Sequence, residues 1–179
     1  YLFGMEESYG CLTGTYARDK DAIVASMALC EAAAYYKTKN MTLWDAMLAM
    51  YERYGYYKDD VTAITLKGIE GLAKIQEIMS TLRDNAPTEI GKYKVNKVRD
   101  YKKGTVTELA TGAEAATGLP SSNVLYYEMT DDAWVCVRPS GTEPKVKFYL
   151  GVKGSSLEDA DAKSEALSKA VLAMIDKML

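Results

Sequence analysis

The sequence predicts an α+β fold in which helices pack on one face of a mostly antiparallel sheet. Two observations support this prediction. After Gly55 the hydrophobic pattern changes repeatedly between a period of two, expected of half-buried strands, and a spacing of three or four, expected of amphipathic helices. The resulting order is one strand, one helix, three or four strands in succession and a final helix. That order is typical of an antiparallel sheet with its helices on one side.

Two helices are predicted before Gly55. Apolar residues recur at a spacing of three or four over residues 20–38, and Asp19 or Asp21 can cap the start of this helix. The second helix begins with a Thr-x-x-Asp sequence at Thr42, which approximates a capping box, and it ends at the glycine. These helices resemble the tail of a different domain.

The remaining strands and helices are predicted from the same hydrophobic spacings, and the loops from their glycine and polar residues. Residues 1–18 are expected to be a strand end followed by an ordered loop, and residues 102–120, with three glycines, a long connection. A capping box of Ser155 and Glu158 is predicted for the last helix. Strands are predicted at 56–66, 92–99, 123–129, 133–138 and 145–152, and helices at 68–83 and 155–178.

The composition excludes several classes of function. Lys and Arg number 22 against 25 Asp and Glu, so the chain lacks the positive field with which nucleic-acid-binding proteins displace counterions. Histidine is absent, which excludes His-based triads and His metal sites within this chain. The three cysteines form no C-x-x-C pair and fit a reducing cytoplasm. No run of 18 apolar residues occurs, so no membrane span is predicted.

One polar loop between two predicted strands has the composition of an anion site. Its sequence is RPSGTEPK, starting at Arg138, and Lys147 lies on the strand that follows. The arginine offers a planar fork that matches two phosphate oxygens, and Ser140 and Thr142 add hydroxyl donors. Gly141 allows close approach of the backbone, so that consecutive amides could form an anion-binding nest. The alternative is a polar turn, and the flanking cations favour phosphate.

A second loop, GMEESYG, has the groups needed to bind a sugar. Glu6 and Ser8 are two residues apart, so in an extended segment they point to the same side. A carboxylate and a hydroxyl on one side can bind neighbouring hydroxyls of a sugar ring. From the residue pattern alone, a solvated acidic loop or a helix N-terminus is the more frequent explanation. Lys20, just beyond the loop, would by itself be an ordinary surface lysine.

Together the two loops resemble a known family. RPSGTEPKVKFY (138–149) is similar to the phosphate-binding loop of the α-D-phosphohexomutases, which include phosphoglucomutase and phosphomannomutase. GMEESYG (4–10) is similar to their sugar-binding loop. The resemblance extends to ARDKDAIVASM (17–27), GYYKDDVTAITLKGIEG (55–71) and PSSNVLYYEMTDDAWVCV (120–137), and thus covers nearly the whole chain.

The resemblance implies a place for this chain in a four-domain enzyme. Residues 1–55 would be the C-terminal remnant of the third domain, an α/β domain that carries the sugar-binding loop. Residues 56–179 would be the phosphate-binding fourth domain, with a TATA-box-binding-protein-like fold. The implied cytoplasmic reaction moves a phosphoryl group between C1 and C6 of a hexose phosphate. It passes through a phosphoserine and a hexose 1,6-bisphosphate.

The family's binding residues can be carried over to matching positions. Glu6 and Ser8 would bind sugar hydroxyls, and Lys20 matches an active-site lysine of some members. The phosphate that is not transferred would be held by Arg138, Ser140, Gly141 and Thr142, with Lys147 as a basic residue near it.

The sequence also departs from the family pattern. It contains neither the phosphorylatable serine nor the Asp-rich magnesium loop, so no catalytic and no metal-binding residue is predicted here. Mg²⁺ is expected in an upstream part of the full-length protein, and this chain alone is expected to be inactive. A phosphosugar is the expected partner, without nucleic acid or membrane, and the oligomeric state stays open. The Glu-Glu-Ser-Tyr-Gly form favours glucose, whereas mannose, a pentose or a non-catalytic sugar-phosphate-binding module remain alternatives.

Overall fold

The computed structural model describes residues 1–6, 9–66, 68–141 and 143–179. The chain divides into two compact units, Tyr1–Tyr54 and Gly55–Leu179. All of the buried hydrophobic side chains in the described part belong to the second unit. No helix in the described residues is long and apolar enough to span a bilayer.

The first unit consists of a small hairpin and two helices. The two strands of the hairpin, expected from the sequence only as a strand end and a loop, pair in antiparallel fashion. The helices are those predicted before Gly55. The elements are β1 (Phe3–Met5), β2 (Cys11–Thr13), α1 (Ala22–Lys37) and α2 (Leu43–Tyr54).

Polar side chains define where both helices begin. The Asp21 carboxylate accepts hydrogen bonds from the amides of Ile23 at 2.8 Å and Val24 at 3.1 Å, and thereby caps α1. At α2, the Thr42 hydroxyl accepts from the Asp45 amide at 3.1 Å, and the Asp45 carboxylate accepts from the Thr42 amide at 2.8 Å. The reciprocal pair is the predicted capping box.

The second unit is an antiparallel sheet with two helices on one face. Its main path runs in the order β3-β10-β9-β8-β5-β6-β7, and the short β4 pairs with β5. The strands are β3 (Tyr56–Thr65), β4 (Glu89–Ile90), β5 (Tyr93–Asp100), β6 (Thr105–Glu108), β7 (Glu114–Ala116), β8 (Leu125–Met129), β9 (Trp134–Pro139) and β10 (Lys145–Gly154). The helices are α3 (Gly68–Asp84) and α4 (Leu157–Asp176). The predicted α+β class is confirmed.

The core lies between the helices and one face of this sheet. Alternate residues of each central strand point into it, because side chains along a strand alternate between the two faces. It is formed by Val146, Phe148, Leu150 and Val152 of β10, by Val135 and Val137 of β9, and by Ile78, Leu82, Leu167 and Val171 of the helices, among others. The opposite face of the sheet carries the charged side chains of the predicted phosphate site.

The prediction of a long connection over residues 102–120 is wrong. This segment contains the hairpin β6–β7, which extends the edge of the sheet. Its turn includes Gly112, whose φ of +70° lies in the left-handed region that favours glycine. The strands are short, and β6 is held by its pairing with β5. That pairing is a tertiary contact, so local composition does not reveal it.

The cap predicted for the last helix is shifted by one residue. Ser156, not Ser155, is the N-cap of α4, because its hydroxyl accepts from the Asp159 amide at 3.1 Å. The Asp159 carboxylate in turn accepts from the Ser155 amide at 2.8 Å. The sequence allows both caps, because Ser155 is followed three residues later by Glu158 and Ser156 by Asp159. Gly154 packs closely against the start of the helix, because a Cβ there would lie 2.5 Å from the Ala160 amide nitrogen.

Candidate functional site

The predicted phosphate loop connects β9 and β10, and strand register places two of its cations together. Arg138 lies directly opposite Lys147 in the antiparallel pair. Their neighbours Val137 and Phe148 point into the core, so Arg138 and Lys147 share the other face of the sheet. Like charges directly opposite each other are destabilising, and an anion between them would remove this cost. The register therefore creates a cationic spot suited to an anion.

A hollow of about 270 Å³ lies at this spot. Within the described part of the chain, the exposed guanidinium of Arg138 has neither a hydrogen-bond acceptor nor an ion pair. The ammonium of Lys147 lies 5.6 Å from the centre of the Tyr149 ring, a cation–π contact. The hollow is lined by Arg138, Pro139, Ser140, Gly141, Lys147 and Tyr149.

Hydrogen bonds inside the loop hold Ser140 in place. Its amide donates to the Lys145 carbonyl at 2.8 Å, and its hydroxyl oxygen accepts from the Glu143 amide at 3.2 Å. The nest of consecutive free amides suggested by the sequence is therefore incomplete, because two of its amides are used by the loop itself. The Gly141 amide has no protein acceptor among the described residues. Thr142, also predicted as a ligand, lies outside the described residues.

The sequence analysis includes Lys145 among the cations that flank the phosphate loop. In the structure, however, Lys145 forms an ion pair with Glu143 of the same loop. Its Nζ lies 2.6 Å from Oε2 of Glu143, and Lys145 does not line the hollow. The hydrogen bond from Lys145 lowers the pKa of Glu143, and the charge of Lys147 adds to this effect. Tyr149 is a lining residue that the sequence analysis missed. Tyr149 lies two residues after Lys147 on a predicted strand, and this spacing could have predicted that both side chains share one face of the sheet.

A cysteine lies next to the hollow on the same face of the sheet. Cys136 is opposite Tyr149 in the β9–β10 pair. Burial raises the pKa of the Cys136 thiol to about 11, and the nearby charge of Arg138 opposes this rise. The thiol is therefore protonated at neutral pH and is not an activated nucleophile.

The predicted sugar loop forms the turn of the β1–β2 hairpin. The Glu6 amide donates to the Gly10 carbonyl at 2.8 Å, and the Tyr9 amide donates to the Glu6 carbonyl at 3.2 Å. Glu6 and Tyr9 thus take part in a turn that follows the end of β1, whereas the spacing argument for Glu6 and Ser8 assumes an extended segment. Ser8 lies outside the described residues.

The hairpin brings Glu6 next to Lys20. The Lys20 ammonium lies 3.5 Å from Oε1 of Glu6 and 2.9 Å from Oδ1 of Asp19. Asp19 is the main cause that raises the pKa of Lys20, and Glu6 adds to it. Gly10 makes the approach possible, because a Cβ there would lie 2.6 Å from Cγ of the lysine. A hollow of about 200 Å³ lies beside these residues, and Arg18 also lines it.

Among the described residues, no three Asp, Glu or Cys side chains are grouped closely enough to hold a metal ion together. The expected Mg²⁺ therefore stays a prediction about an upstream part of the protein.

Two models of one protein family match this chain. Residues 1–54 match phosphoglucomutase/phosphomannomutase, alpha/beta/alpha domain III, and residues 92–169 match phosphoglucomutase/phosphomannomutase, C-terminal domain. The chain belongs to the phosphoglucomutase/phosphomannomutase family. The resemblance noted from the two loops is thereby confirmed, and the matched domains place the chain in the C-terminal part of the family's architecture.

Individual relatives agree with this assignment. Phosphoglucomutases of Staphylococcus aureus strains RF122 and MRSA252 are 36% identical over 166 residues, 93% of this chain. The chain spans about 30% of the length of these curated relatives. A crystal structure of pp63/parafusin from Paramecium, an exocytosis-sensitive phosphoprotein and phosphoglucomutase in its open form, matches with a TM-score of 0.53. At 15% identity over 94% of this chain and 30% of that one, this likeness supports the fold alone.

Proposed function

We propose that the chain is the substrate-holding C-terminal part of a phosphoglucomutase. The whole enzyme would interconvert glucose 1-phosphate and glucose 6-phosphate through a phosphoserine and glucose 1,6-bisphosphate. The observation that carries the proposal is the cross-strand pair of Arg138 and Lys147 beside a hollow. The family and the names of its relatives support the phosphosugar as substrate.

The loop would hold the phosphate that is not being transferred. Arg138 can bind two phosphate oxygens, and Lys147, the Ser140 hydroxyl and the Gly141 amide can donate further hydrogen bonds. Hydrogen bonds to charged groups contribute roughly 1.5–3 kcal/mol each before the costs of association. Thr142 remains a proposed ligand from the sequence. Because these groups recognise only phosphate, the same loop could hold either end of a hexose bisphosphate, as the proposed reaction requires.

The hairpin loop would orient the sugar. The Glu6 carboxylate accepts hydrogen bonds and the Lys20 ammonium donates them, so a sugar hydroxyl can bind to either group. Ser8 would add a hydroxyl to this set. Binding energy from the remote phosphate and from the ring hydroxyls would hold the reacting oxygen in position, which is how non-reacting parts of a substrate accelerate a reaction.

Catalytic groups would come from outside this chain. The proposed phosphoserine and Mg²⁺ would belong to upstream domains, so this chain alone would bind substrate without turnover. A cytoplasmic location is part of the proposal and is supported by the free thiols of Cys11, Cys30 and Cys136. Phosphomannomutase and phosphopentomutase activity, or a non-catalytic module with the same phosphate site, are the alternatives that an assay of the full-length protein would separate.

An amide chemical-shift titration tests the proposal. Glucose 1-phosphate and inorganic phosphate should shift the amides around residues 138–147 saturably, and free glucose should not. Arg138→Ala should abolish these shifts. Arg53→Ala, which removes an exposed arginine of α2, is the matched control and should leave them unchanged. Equal titration of the Arg138→Ala and Arg53→Ala variants would contradict the proposed phosphate site.

A further inference from the structure

The proposed phosphate loop contains a carboxylate of its own. The Glu143 side chain is 59% exposed, and its Oε2 lies 2.6 Å from Nζ of Lys145. Lys145 and Lys147 are two residues apart on β10 and therefore share a face. Both lysines contribute to lowering the pKa of Glu143, Lys145 through its hydrogen bond and Lys147 through its charge. The carboxylate thus lies in the same positive field that would attract a phosphate.

The loop is also held by hydrogen bonds that do not involve this carboxylate. Among the described residues of the loop, three hydrogen bonds are made by backbone groups or by the Ser140 hydroxyl. The Ser140 amide donates to the Lys145 carbonyl at 2.8 Å, the Lys145 amide donates to the Glu143 carbonyl at 2.7 Å, and the Glu143 amide donates to the Ser140 hydroxyl. Replacing the Glu143 carboxylate with an amide retains all three bonds. The contribution of its charge is therefore electrostatic.

We propose that Glu143 is an internal counterion that weakens the binding of phosphate dianions at this loop. The inference rests on the proposed function. A dianion held by Arg138 and Lys147 would be repelled by Glu143, and it would have to compete with Glu143 for Lys145. A reaction whose bisphosphate intermediate must leave the loop and return in the opposite orientation benefits from weaker binding, because tight binding of an intermediate slows its release.

The effect should scale with the charge of the ligand. If the separation is assumed to be roughly 7 Å, in a medium close to water and partly screened by salt, the repulsion between a carboxylate and a dianion lowers the affinity about fivefold. The same carboxylate lowers the affinity for a monoanion only about twofold, because the Coulomb energy is proportional to the ligand charge. Methyl phosphate is a dianion at pH 8 and dimethyl phosphate is a monoanion, so these two probes differ mainly in charge.

The test uses the full 179-residue chain and three variants. Glu143→Gln should bind methyl phosphate about fivefold more tightly than the parent chain, and dimethyl phosphate about twofold more tightly. Glu143→Asp, which keeps the charge, should stay within about twofold of the parent. Glu165→Gln is the matched control, because Glu165 also forms an exposed pair with a lysine, Lys169, at 2.6 Å, but on α4. It should leave both affinities unchanged.

The outcomes separate this inference from the proposed function. If Glu143→Gln and Glu165→Gln bind methyl phosphate equally, or if Glu143→Gln improves both ligands by the same factor, the counterion role is wrong and the phosphate site stands. If neither the parent chain nor Glu143→Gln binds methyl phosphate, the proposed site and the inference are both overturned. Thermal unfolding of each variant checks that the comparison is made between folded proteins.

Discussion

Removing the carboxylate of Asp100 is expected to destabilise the second unit strongly. Asp100 is 5% exposed and joins the end of α3 to the end of β5. Its carboxylate accepts hydrogen bonds from Nε of Arg83 at 3.0 Å and from the amides of Lys102 at 3.0 Å and Lys103 at 3.2 Å. The Arg83 side chain is itself only 8% exposed, so Asp100→Ala leaves a buried cation without its counter-charge.

The structure allows an estimate of the magnitude. Breaking a buried ion pair by removing one partner costs about 3–5 kcal/mol. Arg83 would keep hydrogen bonds to Asn123 at 2.8 Å and to the Met79 carbonyl at 3.3 Å, which places the expected loss near the lower limit, at about 3 kcal/mol. At about 4 °C per kcal/mol for a domain of this size, the unfolding temperature should fall by about 12 °C.

The measurement is urea unfolding followed by the fluorescence of Trp134, in a chain that carries Trp44→Phe so that one tryptophan reports. Asp100→Asn retains an oxygen acceptor for the turn amides and should lose less stability than Asp100→Ala. Asp84→Ala is the control, because Asp84 is exposed and lies 3.8 Å from its lysine partner. Its effect should stay within about 0.5 kcal/mol, as for exposed ion pairs in general. A loss below about 1 kcal/mol for Asp100→Ala, or one equal to that of Asp84→Ala, would refute the reasoning.

Two further predictions concern titration. The pKa of the Asp159 carboxyl is lowered to about 2, chiefly by its hydrogen bond with Lys163 and also by the Ser155 amide. We expect this carboxyl to titrate near pH 2 in a carbon-detected NMR experiment. Since this pKa lies below the usual 3.8, the ionised carboxylate stabilises the fold above about pH 4, and this contribution is lost as the pH falls towards 2. Asp159→Asn should remove that part of the pH dependence, and a midpoint near 3.8 would contradict it. Cys136 is half-buried and its thiol has a pKa of about 11. It should react with iodoacetamide at pH 8 more slowly than the exposed thiol of Cys30, and peptide mass spectrometry would measure both rates. Equal rates would count against its burial.

The helices and central strands could be predicted from local pattern. The 3–4 spacing of Leu167 and Val171 and the alternation of Val146 and Phe148 reflect one buried face each, and the structure places all four in the core. The Asp21 cap was predictable for a similar reason, because its bonds reach only two and three residues along the chain. In these cases the interacting groups are near neighbours in sequence.

The components of both candidate sites were also available in the sequence. The loop beginning at Arg138 and the one containing Glu6 have donor and acceptor types that match phosphate and sugar, and together they indicated the family. Side-chain chemistry is a property of the residues themselves, so it needs no fold to be recognised.

Only the tertiary structure shows which donor and acceptor groups of the two loops contact each other. Strand register places Arg138 opposite Lys147, and the same register puts Tyr149 beside the hollow. The turn of the hairpin brings Lys20 to Glu6, and loop geometry pairs Lys145 with Glu143. These contacts depend on how strands pair and on how the turns and loops fold. The hydrophobic periodicity of a single segment does not contain that information. The sequence by itself therefore determined the helices, the central strands, the chemistry of the loops and the family. Three-dimensional packing determined the hairpins β1–β2 and β6–β7 and the partners of each charged group, because these interactions depend on distance in space and not on separation along the chain.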